Sequence, residues 1–108
     1  MKRVYIAGPY SATSILAGLE NIRRGQRAAT EYLLAGYAVF CPWLDHQLFL
    51  QLREGEQIDL ATIREHSMAW LSVSDMVVVL EGWEQSEGTK AEIKRAEELG
   101  IPVTYETH

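Results

Sequence analysis

Short apolar runs alternate with longer amphipathic stretches along this chain, and that alternation limits the folds it can adopt. Strands of a parallel sheet are buried on both faces, so they read as continuous apolar runs joined by helical crossovers. Such strands are predicted over residues 3–7, 37–41, 76–80 and 102–105. The sequence therefore predicts one α/β domain over residues 1–108, with a parallel sheet covered by helices on both faces.

Three amphipathic stretches predict the helices, over residues 14–35, from about 60 to 72, and from the end of the 82–88 turn to Leu99. The second helix starts either near Thr62, which has capping-box spacing to Glu65, or nearer Asp59. The inward stripes are predicted to be Leu19, Ile22, Ala29 and Leu33 in the first helix and Leu60, Ile63, Ser67, Trp70 and Leu71 in the second. The stretch 43–55 is ambiguous and suggests a further short helix.

Composition excludes several classes of function. The formal net charge is −5 and no lysine/arginine cluster is present, so long nucleic acids would be repelled. No apolar stretch approaches the roughly 20 residues of a membrane span, and the N-terminus does not read as a signal peptide. The single cysteine, Cys41, excludes an intrachain disulfide and suits a reducing compartment. We expect a cytoplasmic protein that binds neither nucleic-acid polymers nor membranes.

A ligand site is predicted where the run 76–80 passes through a Gly/Ser turn into the last helix. Ligands of parallel sheets bind beyond the carboxyl ends of the strands, where the loop 8–11 would meet this turn. Glu92 shares a helix face with Ala96 and Leu99, so its carboxylate is predicted to point inward. An inward carboxylate needs a partner or a chemical role. Glu92 therefore has either a structural role, as a hydrogen-bond partner of the loop 8–11, or a functional role in the site.

The two loops carry the other binding candidates. Ser86 and Gly88 either cap the last helix or form an anion site at its N-terminus. Gly8, in the Gly8-Pro9 turn, would let a ligand approach the backbone closely. Tyr10 is predicted to touch the ligand or hydrogen-bond Glu92, whereas Tyr5, inside the first strand, is expected in the core.

Four further features bear on the site. Trp83 either stacks on a flat base or covers the core or a subunit contact. Asp45 and His46 follow the second strand and could reach the same rim. Because no second histidine or cysteine stands at ligand spacing, we expect no metal ion, and no P-loop or dinucleotide fingerprint is present. Of the arginines on the first helix, one could pair with a phosphate: Arg23, Arg24 or Arg27.

Taken together, the motifs at residues 5–11, 74–80 and 82–92 resemble the nucleoside 2-deoxyribosyltransferase superfamily, which includes 2′-deoxynucleoside 5′-phosphate N-hydrolases. The last motif has the form Gly-Trp-x-x-Ser-x-Gly-x-x-x-Glu. The resemblance implies that Glu92 is the nucleophile attacking the anomeric carbon of a nucleoside or nucleotide and that Tyr10 or Tyr5 orients it. It also implies phosphate binding by Ser86 and Gly88, places Ser11 near the ligand, and implies no cofactor.

One position departs from the family pattern. Where the family has an aspartate before the third strand, this chain has Ser67, and a hydroxyl is no general acid near neutral pH. Either Asp45 or His46 does that task, or the chain is weakly active. The alternatives are a non-catalytic nucleotide or nucleotide-sugar sensor and a purely structural oligomerisation domain.

The resemblance also guides the predicted architecture and assembly. We predict a flavodoxin-like domain with four parallel strands in the order 2-1-3-4. A homodimer or higher homo-oligomer is expected, in which residues 105–108 of one subunit lie near the pocket of its neighbour.

Overall fold

A four-stranded parallel sheet forms the centre of the molecule in a computed structural model, which describes residues 1–10 and 12–106 and, at His46, the backbone alone. The strands are β1 (Arg3–Ala7), β2 (Ala38–Phe40), β3 (Met76–Val79) and β4 (Val103–Tyr105). Their order is β2-β1-β3-β4, and all three neighbouring pairs are parallel. The predicted α/β class and the 2-1-3-4 order are confirmed. Each strand matches its predicted run within one residue at either end.

Four helices connect the strands: α1 (Ile15–Leu34), α2 (Asp45–Phe49), α3 (Leu60–Ser72) and α4 (Glu87–Glu98). Two 3₁₀ turns, Pro42–Leu44 and Trp83–Gln85, precede α2 and α4. The side chain of Asp59 accepts a hydrogen bond from the Thr62 amide at 2.8 Å, so α3 begins at the earlier of the two predicted starts. Within the ambiguous stretch 43–55, the helix is only five residues long.

The sheet is covered on both faces, as the alternation of strands and helices predicts. On one face α1 packs over a buried cluster that contains Trp43, Ala28 and Ala29. On the other, α3 and α4 enclose Leu71, Ile93 and Ala96 with their neighbours from β1 and β3. Side chains alternate along a strand, so β1 serves both clusters.

The helix α1 lies close to the buried Trp43 ring, and this contact corrects part of its predicted inward stripe. A Cβ atom at Gly25 would lie 2.4 Å from the Trp43 ring, so only glycine permits this approach. The buried stripe is therefore centred on Gly25, Ala28 and Ala29. Leu19 and Leu33, predicted to face inward, are about half exposed because they lie on the flanks of that stripe.

Helix α3 corrects the second predicted stripe in the same way. Ser67 and Leu71 are its buried residues, whereas Leu60 is largely exposed and Trp70 is about half exposed. Trp70 instead stacks its ring on Phe40 of the edge strand β2, with ring centroids 5.6 Å apart. Within the described part of the chain, no helix combines the length and apolarity that crossing a bilayer requires.

Candidate functional site

A cleft of about 1020 Å³ opens beyond the carboxyl ends of the strands. Its volume is at the upper end of the roughly 300–1,000 Å³ typical of small-molecule sites. The loop after β1, the first turns of α1, the 3₁₀ turn before α2, α2, α3 and the start of α4 all contribute walls. Of the residues predicted for the site, the lining includes Pro9, Tyr10, Asp45, Ser67, Ser86, Gly88 and Glu92.

The inward acid of α4 is held by a tyrosine of β1. The hydroxyl of Tyr5 donates a hydrogen bond to Glu92 Oε2. Sequence reasoning favoured Tyr10 for this contact and placed Tyr5 in the core. Tyr5 is fully buried, yet the alternation along β1 turns it toward the face covered by α3 and α4. Tyr10 lines the cleft with a partly exposed side chain.

Glu92 is electrostatically unusual for a glutamate. The pKa of Glu92 is raised to about 7, chiefly because the carboxyl is removed from water. The hydrogen bond from Tyr5 lowers this pKa, and the nearby negative charge of Asp45 raises it. The pKa of Tyr5 lies well above its ordinary value, chiefly through burial and then through the charge of Glu92. Tyr5 therefore remains a proton donor, and Glu92 is poised between its two forms near neutral pH.

Two polar residues beside Glu92 complete what we call the carboxylate centre, defined as Tyr5, Asp45, Ser67 and Glu92. Asp45 is 5% exposed and Ser67 is 9% exposed, and both line the cleft. A hydrogen bond between Ser67 and the Tyr5 side chain favours the phenolate form and lowers the Tyr5 pKa against the dominant effect of burial. The centre thus gathers two carboxyl groups and two hydroxyls from residues that are buried or partly buried.

The start of α4 forms a different kind of surface, which we call the anion end and define as Arg24, Ser86, Gly88 and Thr89. The Ser86 Oγ accepts hydrogen bonds from the Thr89 amide at 3.2 Å and from the Thr89 hydroxyl at 2.9 Å. A hydroxyl has two acceptor sites and one donor. With both acceptor sites used, Ser86 has its proton available to donate toward a ligand in the cleft.

Charge at the anion end comes from Arg24 and from the helix itself. Arg24 lines the cleft, and its Nη2 donates to the Glu81 carbonyl oxygen at 2.7 Å, beside the 82–88 turn. The first amides of a helix have no intrahelical acceptor, so they favour an anion. Glu87 adds an exposed negative charge there, and Lys90 pairs with it at 3.5 Å. This end suits a small anionic group such as a phosphate.

Two residues predicted to contact the ligand lie outside the cleft lining. A Cβ atom at Gly8 would meet Leu80 Cβ at 3.0 Å and the Trp43 ring at 3.2 Å, so packing within the protein explains this glycine. Trp83 packs against the α3/α4 cluster, and its ring contacts Tyr105 at 5.4 Å between centroids. Of the two readings that the sequence left open for Trp83, its position fits core covering.

Some predictions fall on positions for which the structure gives no description. Ser11, the side chain of His46, and residues 107–108 lie outside the described residues. Among the described residues, no group of three or more histidine, cysteine, aspartate or glutamate side chains is arranged to hold a metal ion. Of the pair Asp45 and His46, the structure describes the side-chain position of Asp45 alone.

Sequence reasoning missed two residues beside the site, Thr89 and His66. Thr89 is 1% exposed and stands three positions after Ser86, a spacing at which helical neighbours meet. His66 Nδ1 lies 4.0 Å from Asp45 Oδ1. No local pattern signals that second contact, because the two residues are far apart in sequence.

Comparison with solved structures supports the fold. The chain aligns over 95% of its length with a 2-deoxyribosyltransferase from Bacillus psychrosaccharolyticus, at 18% identity and a TM-score of 0.65, covering 70% of that chain. It aligns over 97% of its length with a conserved protein from Enterococcus faecalis V583, at 22% identity and a TM-score of 0.63. The protein spans 62% of the length of that second structure.

Comparison with curated proteins finds no match. A family model does match, and it covers residues 2–105, nearly the whole chain. That extent includes the strands, the helices and every described residue of the cleft lining. The chain belongs to the family described as "Domain of unknown function (DUF4406)".

Proposed function

We propose that this protein cleaves the N-glycosidic bond of a nucleoside or nucleoside 5′-monophosphate, by hydrolysis or by base exchange, with Glu92 as the nucleophile. The observation that carries the proposal is the partly buried Glu92 carboxyl, held by the Tyr5 hydroxyl in a ligand-sized cleft. The fold shared with a 2-deoxyribosyltransferase agrees with this chemistry.

The carboxylate of Glu92 suits attack on an anomeric carbon. Breaking an N-glycosidic bond passes through an oxocarbenium-like state, which a close carboxylate stabilises and can trap as a glycosyl ester. A pKa of about 7 leaves a substantial fraction of Glu92 ionised at neutral pH, and burial leaves that carboxylate poorly hydrated and reactive. The Tyr5 hydroxyl fixes its orientation. Water then releases the free sugar, or a second base accepts it.

The departing base needs a proton, and Asp45 is our candidate to deliver it. Its carboxyl lines the cleft and is nearly buried, so it lies where a side chain can pass a proton to a bound ligand. The Ser67 hydroxyl takes part in positioning through Tyr5 and cannot act as the acid. Tyr10 contributes to the ligand-facing wall of the same cleft.

The anion end supports a 5′-phosphate on the substrate. Ser86 with its proton free to donate, Gly88 in the first turn of α4 and Arg24 all line the same cleft. An arginine and a helix N-terminus together favour a phosphate over a neutral hydroxymethyl group. We therefore expect monophosphates to bind more tightly than the corresponding nucleosides.

Incubation with a panel of ribo- and deoxyribonucleosides and their 5′-monophosphates tests the proposal. Chromatography should detect free base with at least one substrate. Glu92→Ala should lower that rate about 10³-fold or more, because the nucleophile is lost. Base release by the wild-type protein that does not exceed release by Glu92→Ala would contradict the proposal.

A second candidate function is non-catalytic nucleotide binding, and Ser67 is the observation that favours it. This buried hydroxyl lines the cleft at the position where the nucleoside 2-deoxyribosyltransferase superfamily, which the sequence resembles, has an aspartate. A sensor would bind nucleotides saturably without releasing base. Calorimetry with the same panel separates the two functions, because binding without turnover supports the sensor.

We also propose that the protein acts as a cytoplasmic homodimer or higher homo-oligomer. The first two turns of α1 expose Ile15, Leu16 and Leu19, and α2 exposes Leu48 and Phe49 beside the cleft. Contiguous exposed apolar side chains are typical of association surfaces. Light scattering coupled to size-exclusion chromatography tests this, and a monomeric mass at micromolar concentration would exclude it.

A further inference from the structure

The side chain of His66 has no role in the proposed chemistry, yet its surroundings are unusual. Its Nδ1 is buried and finds no hydrogen-bond partner within residues 1–10 and 12–106. The side chain as a whole is 38% exposed, so its solvent contact comes from the other ring atoms. A buried ring nitrogen without a partner is costly, and such groups deserve a functional explanation.

The carboxyl that faces this nitrogen belongs to the carboxylate centre. His66 Nδ1 lies 4.0 Å from Asp45 Oδ1, and Phe40 packs against the imidazole with ring centroids 5.9 Å apart. A closure of about 1 Å would give a hydrogen bond of ordinary length. Asp45 therefore lies between the cleft, which it lines, and a histidine in contact with solvent.

We propose that His66 is a positioning residue that acts through Asp45, holding the proton that Asp45 passes to the leaving base. The inference rests on the proposed function and assigns a group that no motif of the sequence indicates. The serine at position 67 cannot act as an acid, whereas an imidazole is a common general acid and base in enzymes. The exposed part of the His66 ring contacts solvent.

The two chemical steps balance with this assignment. In the first, Glu92 forms a C–O bond to the anomeric carbon while the C–N bond breaks, and its electron pair goes to the base nitrogen. That nitrogen takes a proton from Asp45, which takes one from the His66 imidazolium. In the second, the oxygen of water attacks the anomeric carbon, the Glu92 carboxylate leaves, and the water proton returns through Asp45 to His66.

The test compares two leaving groups in the same cleft. One substrate is the nucleotide that the wild-type protein cleaves, whose base must be protonated. The other is the 4-nitrophenyl glycoside of the same sugar phosphate, whose leaving group departs as an anion. His66→Asn should lower kcat on the nucleotide about 10- to 100-fold, within the range of general acid catalysis, and change it less than about threefold on the nitrophenyl glycoside.

Matched variants keep the result interpretable. Glu65→Gln, an exposed neighbour on α3, should leave both rates unchanged. The double variant Asp45→Asn with His66→Asn should be no slower than Asp45→Asn alone, because the two residues act in series. His66→Gln provides a second substitution if His66→Asn folds poorly, as judged by its melting temperature.

Each result decides the matter. Selective loss on the nucleotide supports the inference. Equal losses on both substrates, or none, overturn it and leave the proposed function standing, since the wild-type protein still cleaves. Failure of the wild-type protein to cleave either substrate overturns both.

Discussion

The two ends of the cleft are built on opposite principles. The carboxylate centre joins β1 to α4 through a contact between residues 87 positions apart, so only the completed sheet can assemble it. The anion end is mostly local, because the Ser86 and Thr89 groups that define it are three positions apart on one helix turn. One end depends on tertiary topology, and the other depends largely on the start of α4.

Their electrostatics differ as well. At the carboxylate centre, burial and the charge of Asp45 oppose ionisation of Glu92, so the ionised centre costs folding free energy. At the anion end, a helix cap and a helix dipole are stabilising in the absence of any ligand. The carboxylate centre, where we propose the chemistry occurs, thus lowers the stability of the fold, whereas the anion end, where we propose phosphate binds, raises it.

Replacing Glu92 should show directly how much its ionised carboxylate lowers the free energy of unfolding. The folded-state pKa of Glu92, about 7, lies above its value of 4.5 in an unfolded chain, so its ionised form is penalised by folding. The corresponding stability is present below pH 4.5 and lost as the pH rises through 7. Glu92→Gln should therefore be more stable than wild type by about 2–3 kcal/mol at pH 8, which raises the melting temperature by about 10 °C.

The pH dependence of that gain provides the control. At pH 4 the two proteins should melt at nearly the same temperature, because Glu92 is then neutral in the folded protein and mostly neutral in the unfolded chain. Glu97→Gln, on the same helix but exposed, should show no comparable gain at pH 8. A Glu92→Gln variant that is less stable than wild type at pH 8 would show that the carboxylate is compensated by contacts other than Tyr5.

Removal of the Tyr5 hydroxyl tests whether the carboxylate centre depends on its contact between β1 and α4. The hydrogen bond from Tyr5 lowers the Glu92 pKa, so Tyr5→Phe should raise it above 7 and leave less carboxylate at neutral pH. We expect kcat at pH 7 to fall about 10- to 30-fold and the acidic limb of its pH profile to move to higher pH.

Two variants serve as comparisons for the tyrosine. Asp45→Asn removes a negative charge that raises the Glu92 pKa, so its acidic limb should move to lower pH, opposite in sign. Tyr10→Phe should leave the limb in place, because the Glu92 hydrogen bond belongs to Tyr5. A shift produced by Tyr10→Phe and not by Tyr5→Phe would reverse the assignment of the orienting tyrosine.

Features with a local sequence pattern could be predicted from the sequence, whereas contacts made by the tertiary fold could not. The strands and the helices follow from apolar periodicity, whereas the strand order 2-1-3-4 was predicted with the help of the family resemblance. The inward direction of Glu92 follows from helical spacing. The residues alone favoured Tyr10 as the partner of Glu92, and the resemblance left Tyr10 or Tyr5 open. The hydrogen bond belongs to Tyr5, which sequence could not single out because a fully buried strand carries no alternation to show which face Tyr5 serves.

The burial of Trp43 against Gly25 explains why the buried stripe of α1 differs from the predicted one. The ligand contact of Gly8 stays a prediction, beside the packing role that its approach to Leu80 and Trp43 gives this glycine.

The anion end can be tested by comparing two equivalent helix caps. Ser86 caps α4 and Ser14 caps α1, each accepting a hydrogen bond from an amide three residues later. Changing either to alanine should cost about 1 kcal/mol of stability. Only Ser86→Ala should also weaken monophosphate binding, by about fivefold, because only Ser86 lines the cleft among the two. Equal effects on binding would remove the anion end from the proposed site.

The smallest expected effect concerns Trp83, which the sequence offered as a platform for the base. Its ring packs beside Tyr105 and outside the cleft lining, so Trp83→Phe should keep KM for the preferred nucleotide within about twofold of wild type. Stability should fall by about 1 kcal/mol, because a smaller ring leaves part of that packing unfilled. Steady-state kinetics and thermal melting measure the two quantities separately. A rise in KM of tenfold or more without loss of stability would mean that Trp83 turns toward the base when substrate binds, and the cleft would then gain an aromatic wall near the carboxylate centre.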